Sequence, residues 1–240
     1  MNEKIAIVTG SSSGIGKSCC IDLLKTGCTI IGIDVNQKSI DNQNYIHLIM
    51  NITDEETVKE EIKKIYEKFG KIDYLVNAAG TFSNGKPFYE IDLEKWNKVL
   101  SINLTGTFII SKHVSQCMIK QNYGKIVNIA CIRSTIFKQN MSDYASSKAA
   151  VVALTSTMAL DLAQYNIQVN AVAPGFTYTG MTARAFDQAD IKKASEALIP
   201  CGKIAQADDI SPVVLFLLSG GSNYITGTTI FADGGYSIQK

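Results

Sequence analysis

KIAIVTGSSSGIG, residues 4–16, decides how the rest of the chain is read. Its first six residues form a short apolar run of strand length, too brief for a buried helix. Gly10, Gly14 and Gly16 then fill a turn with Ser12 and Ser13, and a helix to about Gly27 is expected. Glycine accepts left-handed backbone angles and lets another group approach the main chain closely, while Ile15 and its neighbours open the helix. The unsatisfied N–H groups of a helix start favour an anion such as a diphosphate. A lone glycine-rich loop can equally be an ordinary tight turn, so the flanking pattern has to decide.

Working outward, TIIGID (29–34) is a second apolar run ending in Asp34, 18 residues beyond Gly16. A carboxylate there can accept both ribose hydroxyls of an adenosine, and it would repel a 2′-phosphate. No arginine or lysine stands at Ser12, Ser13, Val35 or Asn36, and the nearest cations are Lys17 and Lys38. NAD is therefore favoured over NADP, unless one of those lysines folds over the adenosine.

IHLIM (46–50) is a third run. Over 54–69, Val58, Ile62, Ile65 and Phe69 recur at helical spacing, with Gly70 placed to stop the helix. IDYLVN (72–77), GKIVNIA (124–130), IQVNAV (167–172) and TTIFADGG read as strands, separated by helical regions over 92–121, 144–164 and DDISPVVLFLLS. This alternation predicts an α/β fold of Rossmann type: a doubly wound parallel sheet of about seven strands with helices on both faces. With no internal repeat, low-complexity tract or linker, residues 1–240 are expected to form one domain. Ligands of such sheets bind beyond the carboxyl ends of the strands, which is where the polar stretches TGSSSGIG, Asn51, NAAG, Cys131 and PGFTYT fall.

The composition agrees. Apolar residues make up 46% of the chain, and 23 basic residues nearly balance 22 acidic ones. A formal charge of +1 offers no global field for nucleic acid or anionic lipid, so a small-molecule partner is expected. No apolar run approaches the roughly 20 residues needed to cross a bilayer. The N-terminus lacks a secretory pattern, and six cysteines without CxxC spacing suggest reduced thiols, no metal site and a cytoplasmic protein.

YASSK (144–148) carries the chemistry. Tyr144 and Lys148 lie four apart, one turn along the same helix face. A nearby ammonium and a positive nicotinamide are expected to lower the pKa of the phenol, making tyrosine a usable proton donor and acceptor. Taken in order, TGSSSGIG, LVNAAG (75–80), Asn103 in INLTGTF, YASSK, PGFTYT (174–179) and ADGG (232–235) resemble the short-chain dehydrogenase/reductase family across essentially the whole chain.

The resemblance implies hydride transfer between an alcohol or ketone and a nicotinamide dinucleotide. Gly10, Ser12, Ser13, Gly14, Ile15 and Gly16 would hold the diphosphate, Asp34 the adenosine ribose, and Asn51 and Ile52 the adenine. Asn77, Ala78, Ala79 and Gly80 match the family's NNAG turn, with alanine for the second asparagine, a change expected to be tolerable in a motif that mainly stabilises the sheet. Pro174, Gly175, Phe176, Thr177 and Thr179 would clasp the nicotinamide end. Tyr144 would be the acid/base, Lys148 would bind the nicotinamide ribose, and Asn103 would hold a water that relays protons to the lysine.

The family's substrate-binding serine falls on Cys131, a larger side chain and a weaker hydrogen-bond donor. Three outcomes stand open: Cys131 serves as a weaker donor; Ser134 or Ser142 supplies the hydroxyl; or the chain binds cofactor with weakened or lost catalysis. Arg133 would suit a carboxylate or phosphate on the substrate, although loop arginines more commonly pair with nearby acids. The segment 177–205 is expected to close over the substrate, with Met181, Phe186 and Leu198 as apolar lining and Arg184 as a cation. Its substrate could be a sugar, a hydroxyacid, a cyclic diol or a 3-oxoacyl compound. The family also implies a homotetramer, with helices around 92–120 and 144–164 pairing across subunits.

Overall fold

In the computed structural model, which describes residues 4–239, seven strands form one parallel sheet in the order β3-β2-β1-β4-β5-β6-β9. The strands are β1 Ile5–Thr9, β2 Thr29–Asp34, β3 Tyr45–Ile49, β4 Tyr74–Asn77, β5 Gly124–Ile129, β6 Ile167–Pro174 and β9 Thr229–Ala232. Strand β1 shows why both faces are covered. Successive side chains alternate between faces, so Ile5 and Ile7 join one core while Ala6 and Val8 join the other.

The first core packs α2 (Glu55–Phe69), α4 (Thr107–Gln121) and α5 (Ser142–Leu162) through Val58, Ile62, Val114 and Leu162. The second packs α1 (Gly14–Lys25) and α8 (Ala207–Leu218) through Cys19, Leu23, Val214 and Leu217. The stop expected at Gly70 is present: this residue caps α2 with φ +71° and donates its N–H to the Tyr66 carbonyl, while Asp54 caps the other end by accepting from Thr57 N.

Two features differ from the expected pattern. The helical region over 92–121 is not uniform, because α3 (Leu93–Leu100) passes through a widened π-helical stretch, Ser101–Gly106, before α4 begins. That stretch carries Asn103, and widened turns of this kind often mark functional positions. The segment 177–205 is clipped at both ends by a two-stranded pair, β7 (Thr177–Tyr178) with β8 (Ala205–Gln206), and encloses α6 (Ala183–Phe186) and α7 (Ala189–Glu196). Neither short strand has enough residues to show a period of two in sequence. All six cysteines are thiols: four are buried, Cys131 is half-buried and Cys201 is exposed.

The sheet's order reverses between β2 and β4, the two neighbours of β1, and the cleft opens there. Gly10 leaves β1 with φ +68°, and a Cβ on it would stand 2.8 Å from Ala79 N and 2.9 Å from the Ala78 carbonyl carbon. A Cβ on Gly16 would drive into the Gly10 carbonyl oxygen. Both contacts are with backbone, which cannot swing away as a side chain can. Gly16→Ala should therefore destabilise the fold by more than about 2 kcal/mol, readable as a lower denaturant midpoint, and a midpoint equal to the parent's would contradict this packing.

Candidate active site

A single cleft of about 640 Å3 runs across the carboxyl ends of the central strands, within the usual range for a small-molecule site. Gly10, Ser13, Gly14, Ile15 and Gly16 line one end with Asp34, Asn51 and Ile52; Cys131, Arg133, Tyr144 and Lys148 line the other. Ala78, Ala79 and Gly80 lie between them, and Pro174, Gly175, Phe176, Thr177, Thr179 and Met181 form the remaining wall. Residues separated by more than 150 positions thus share one surface.

At the first end Asp34 is buried and its carboxylate is held in place. Oδ2 accepts from Ser12 N at 3.0 Å, and Oδ1 accepts from Asn36 N at 2.9 Å and Asn36 Nδ2 at 3.0 Å. These donors hold three of the carboxylate's about four acceptor positions, and one on Oδ2 stays open. Ser12 does not line the cleft as expected: its amide orients Asp34 and its hydroxyl donates to the Gln37 carbonyl. Asn51 Oδ1 accepts from Thr53 N and Oγ1, which leaves its amide N–H donors for a ligand.

Two more expected contact residues act from behind the wall. Asn77 is buried in a chain of amides and hydroxyls, donating to Ser111 Oγ and to Asn128 Oδ1, with Asn128 donating in turn to Thr155. It ties β4 to α4 and β5. Asn103 is fully buried and spends its side chain on Thr81 N, Thr81 O and Ser147 Oγ. Its amide is therefore a brace between the 78–81 turn and α5. Gly80 lies against it: a Cβ there would approach Asn103 Oδ1 at 3.2 Å and Lys148 Nζ at 3.7 Å.

At the second end, α5 presents Tyr144 and Lys148 from its first turns. Burial pushes the Tyr144 phenol well above its ordinary value, and the Cys131 side chain, hydrogen-bonded to it, pushes the same way; Arg133 pulls it down. The Lys148 Nζ stands 5.9 Å from the Tyr144 ring centroid. Lys148 donates to the Ile129 carbonyl at 2.7 Å, and burial, partly opposed by Cys131, lowers its own pKa to about 8. Confined in an apolar wall, the ammonium is itself costly to keep charged.

Cys131 occupies the place expected for the substrate hydroxyl, in contact with Tyr144. Neither alternative does. Ser134 Oγ donates to the Cys131 carbonyl at 2.7 Å and Ser142 lines a separate surface depression, and neither faces the cleft. From the closing segment Met181 and Phe186 reach the cleft, whereas Leu198 and Arg184 do not.

Asp143 was not legible as a site residue. Fully buried beside Tyr144, it accepts from Ser83 Oγ at 2.6 Å, Asn84 Nδ2 at 2.9 Å and Tyr144 N at 2.7 Å. Burial would raise its carboxyl, but these donors outweigh it and hold the group below the usual range. It fastens the loop after β4 to the start of α5, where Phe82 packs on Tyr144 with ring centroids 5.0 Å apart. An acid just before the tyrosine was the available signal, since carboxylates favour helix N-termini.

Residues 10–237 match the family model described as Enoyl-(Acyl carrier protein) reductase. The chain is 35% identical to the 3-oxoacyl-(acyl-carrier-protein) reductase FabG of Thermotoga maritima over 247 aligned positions, covering 99% of each. Among solved structures it superposes on ElxO with NADP bound (TM-score 0.93, 31% identity, 99% of this chain and 100% of that one). It also superposes on NAD+-bound xylitol dehydrogenase (TM-score 0.90, 32% identity, 97% and 98%). The chain belongs to the short-chain dehydrogenase/reductase family, an oxidoreductase of alcohols and ketones that works with a nicotinamide dinucleotide. The glycine cradle at Gly10, Gly14 and Gly16 and the oriented Asp34 carboxylate fit such a group.

The lowered Lys148 pKa has a stability consequence with a definite sign. Between about 8 and its ordinary 10.5, the unfolded chain binds a proton that the folded chain has released, so stability from this group rises with pH. Relative to Lys148→Met, the parent should gain about 2 kcal/mol between pH 7 and pH 10, measured as the difference in urea unfolding free energies. A difference that stays flat across this range would show that Lys148 titrates normally.

Proposed function

We propose that this protein interconverts a secondary alcohol and a ketone with NAD(H), using Tyr144 as the proton donor and acceptor. The observation that carries this reading is the convergence of Tyr144, Lys148 and Cys131 in one cleft with Asp34 and the glycine loop. When bound, the nicotinamide supplies the hydride chemistry. In reduction, Tyr144 gives its proton to the carbonyl oxygen as that oxygen gains charge; in oxidation, the alcohol proton returns to Tyr144. The raised phenol pKa keeps this proton in place at neutral pH, which suits the reducing direction.

Cys131 would donate its S–H to the same oxygen, orienting the carbonyl beside the phenol. Lys148 would hold the nicotinamide ribose and Asn103 would keep α5 in register with the 78–81 turn. The glycine loop amides would meet the diphosphate, Asp34 the adenosine ribose, and the 174–179 wall the nicotinamide end. Ser134, Ser142 and Asn77 support the site from outside it.

NAD is preferred because no described cation lines the Asp34 end of the cleft. Lys38 pairs with Asp41 at 3.4 Å on the surface, and neither it nor Lys17 lines the cleft. A 2′-phosphate would meet the carboxylate without a compensating charge.

A homotetramer is also proposed. Phe88, Tyr89, Leu93, Phe108 and Leu160 are exposed along the short 3-10 turn at Phe88–Glu90 and helices α3 to α5, while Phe216, Tyr224, Phe231 and Ile238 are exposed near α8 and β9. Two sets of exposed apolar side chains on different elements would suit two independent two-fold contacts. No described helix is long and apolar enough to cross a membrane, and a cytoplasmic location accords with the free thiols.

Three measurements test these statements. Tyr144→Phe should lose at least about 1000-fold in kcat while retaining dinucleotide binding, and parental turnover would remove the proposed proton transfer. Calorimetry should give NADH the lower Kd of the two reduced dinucleotides; tighter NADPH binding would reverse the assignment. Because a hydroxyl is the stronger donor, Cys131→Ser should raise turnover about tenfold, equivalent to about 1.4 kcal/mol. No change would place the substrate oxygen away from residue 131.

A further inference from the structure

Arg133 is the residue whose environment is least explained by alcohol–ketone chemistry. It is 6% exposed, it lines the cleft, and no described carboxylate pairs with it. Buried guanidinium groups are ordinarily paired, because removing an isolated charge from water is costly. Among the described residues its one hydrogen bond is from Nη1 to the Ile136 carbonyl at 3.2 Å, which uses one of five donors.

The group is nevertheless held in position. The guanidinium carbon lies 5.7 Å from the ring centroid of Phe176 and 5.7 Å from that of Tyr236, and these rings meet edge to face at 5.0 Å and 89°. Two aromatic faces therefore fix the orientation of a planar fork without neutralising it. The rest of this end of the cleft has the same sign: its charged lining residues are Arg133, Lys138 and Lys148, while the carboxylate of Asp34 lies at the opposite, dinucleotide end. Lys148 is engaged with the Ile129 carbonyl, and Lys138 is exposed at the rim. Arg133 is thus the fixed, inward cation, two residues from the Cys131 that contacts Tyr144.

We propose that the substrate is a small oxo or hydroxy acid whose carboxylate is gripped by Arg133 while its carbonyl or hydroxyl oxygen lies between Tyr144 and Cys131. This inference rests on the alcohol–ketone reading above and narrows its substrate class. A carboxylate presents two acceptor oxygens in the plane that the guanidinium fork matches. Neutral sugars and polyols would leave that fork unpaired, and an uncharged ester would do the same. Loss of the charge on either side should therefore act on substrate binding more than on the chemical step.

The test uses short straight-chain 2-, 3- and 4-oxo acids and their methyl esters as probes, with NADH and NADPH, on the parent, Arg133→Met and Arg133→Lys. Methionine retains much of the apolar stem, and unchanged NADH affinity and thermal midpoint would establish that the variant folds. The expected result is a preference for one acid over its ester in the parent. Arg133→Met should lower kcat/KM for that acid by roughly thirtyfold or more, chiefly through KM, lower it for the ester by a much smaller factor, and so remove most of the preference. Arg133→Lys should restore part of it. Equal or better turnover of the esters by the parent would overturn the proposal, as would an equal loss for acid and ester in Arg133→Met. If no probe is turned over with either dinucleotide, turnover of oxo acids is ruled out, and calorimetry of the acids against the NADH-bound parent and Arg133→Met decides anion recognition separately. Binding that depends on Arg133 upholds anion recognition; absence of binding by every acid overturns it.

Discussion

The start of α1 lies so close to the end of β1 that one residue's Cβ would occupy the carbonyl of another. Gly16 against Gly10, and Gly10 against the turn at Ala78 and Ala79, bring three backbone segments together without side chains between them. The cleft depends on this approach. It sets the N-terminal amides of α1 beside the carboxylate at the end of β2 and opens the surface on which β4, β5 and β6 deliver the remaining groups. The energetic support comes from two cores, one on each side of the sheet, which are filled by alternate residues of the same strands.

The other end of the cleft is governed by the cost of burying charge. Tyr144 and Lys148 are both enclosed, so each is pushed toward its neutral form, the phenol upward and the ammonium down to about 8. Cys131 beside the ammonium and Arg133 beside the phenol counter part of this cost, and a bound nicotinamide dinucleotide would add further partners. Proton-transfer groups with shifted pKa values are commonly held in such environments. Asp143 and Asn103 keep the arrangement rigid by binding the loop after β4 to α5 through main-chain and hydroxyl groups.

Much of the fold could be read directly because it depends on repeating local patterns. β1 and α2 follow from apolar spacing, and the glycine that ends α2 sits where its left-handed angle is required. Six motifs in order, from TGSSSGIG to ADGG, were enough to establish the family and to place Tyr144, Lys148 and Cys131. The widened turn at Ser101–Gly106 and the paired strands at Thr177–Tyr178 and Ala205–Gln206 could not be read in this way. One changes helical hydrogen bonding without changing the apolar pattern, and the other is too short to possess a pattern.

The sequence by itself determined which residue types are available: three loop glycines, an acid ending the second strand, a tyrosine and lysine one turn apart, and a thiol where a hydroxyl is usual. Only the tertiary structure decided what each one faces. Ser12 and Asn77 support the cleft wall, Ser134 turns to a carbonyl, and Arg133 is buried against two rings with its charge unpaired by any described acid. The reason is that spacing along a strand or helix fixes the side of an element on which a residue stands, whereas its partners and its desolvation come from elements distant in sequence.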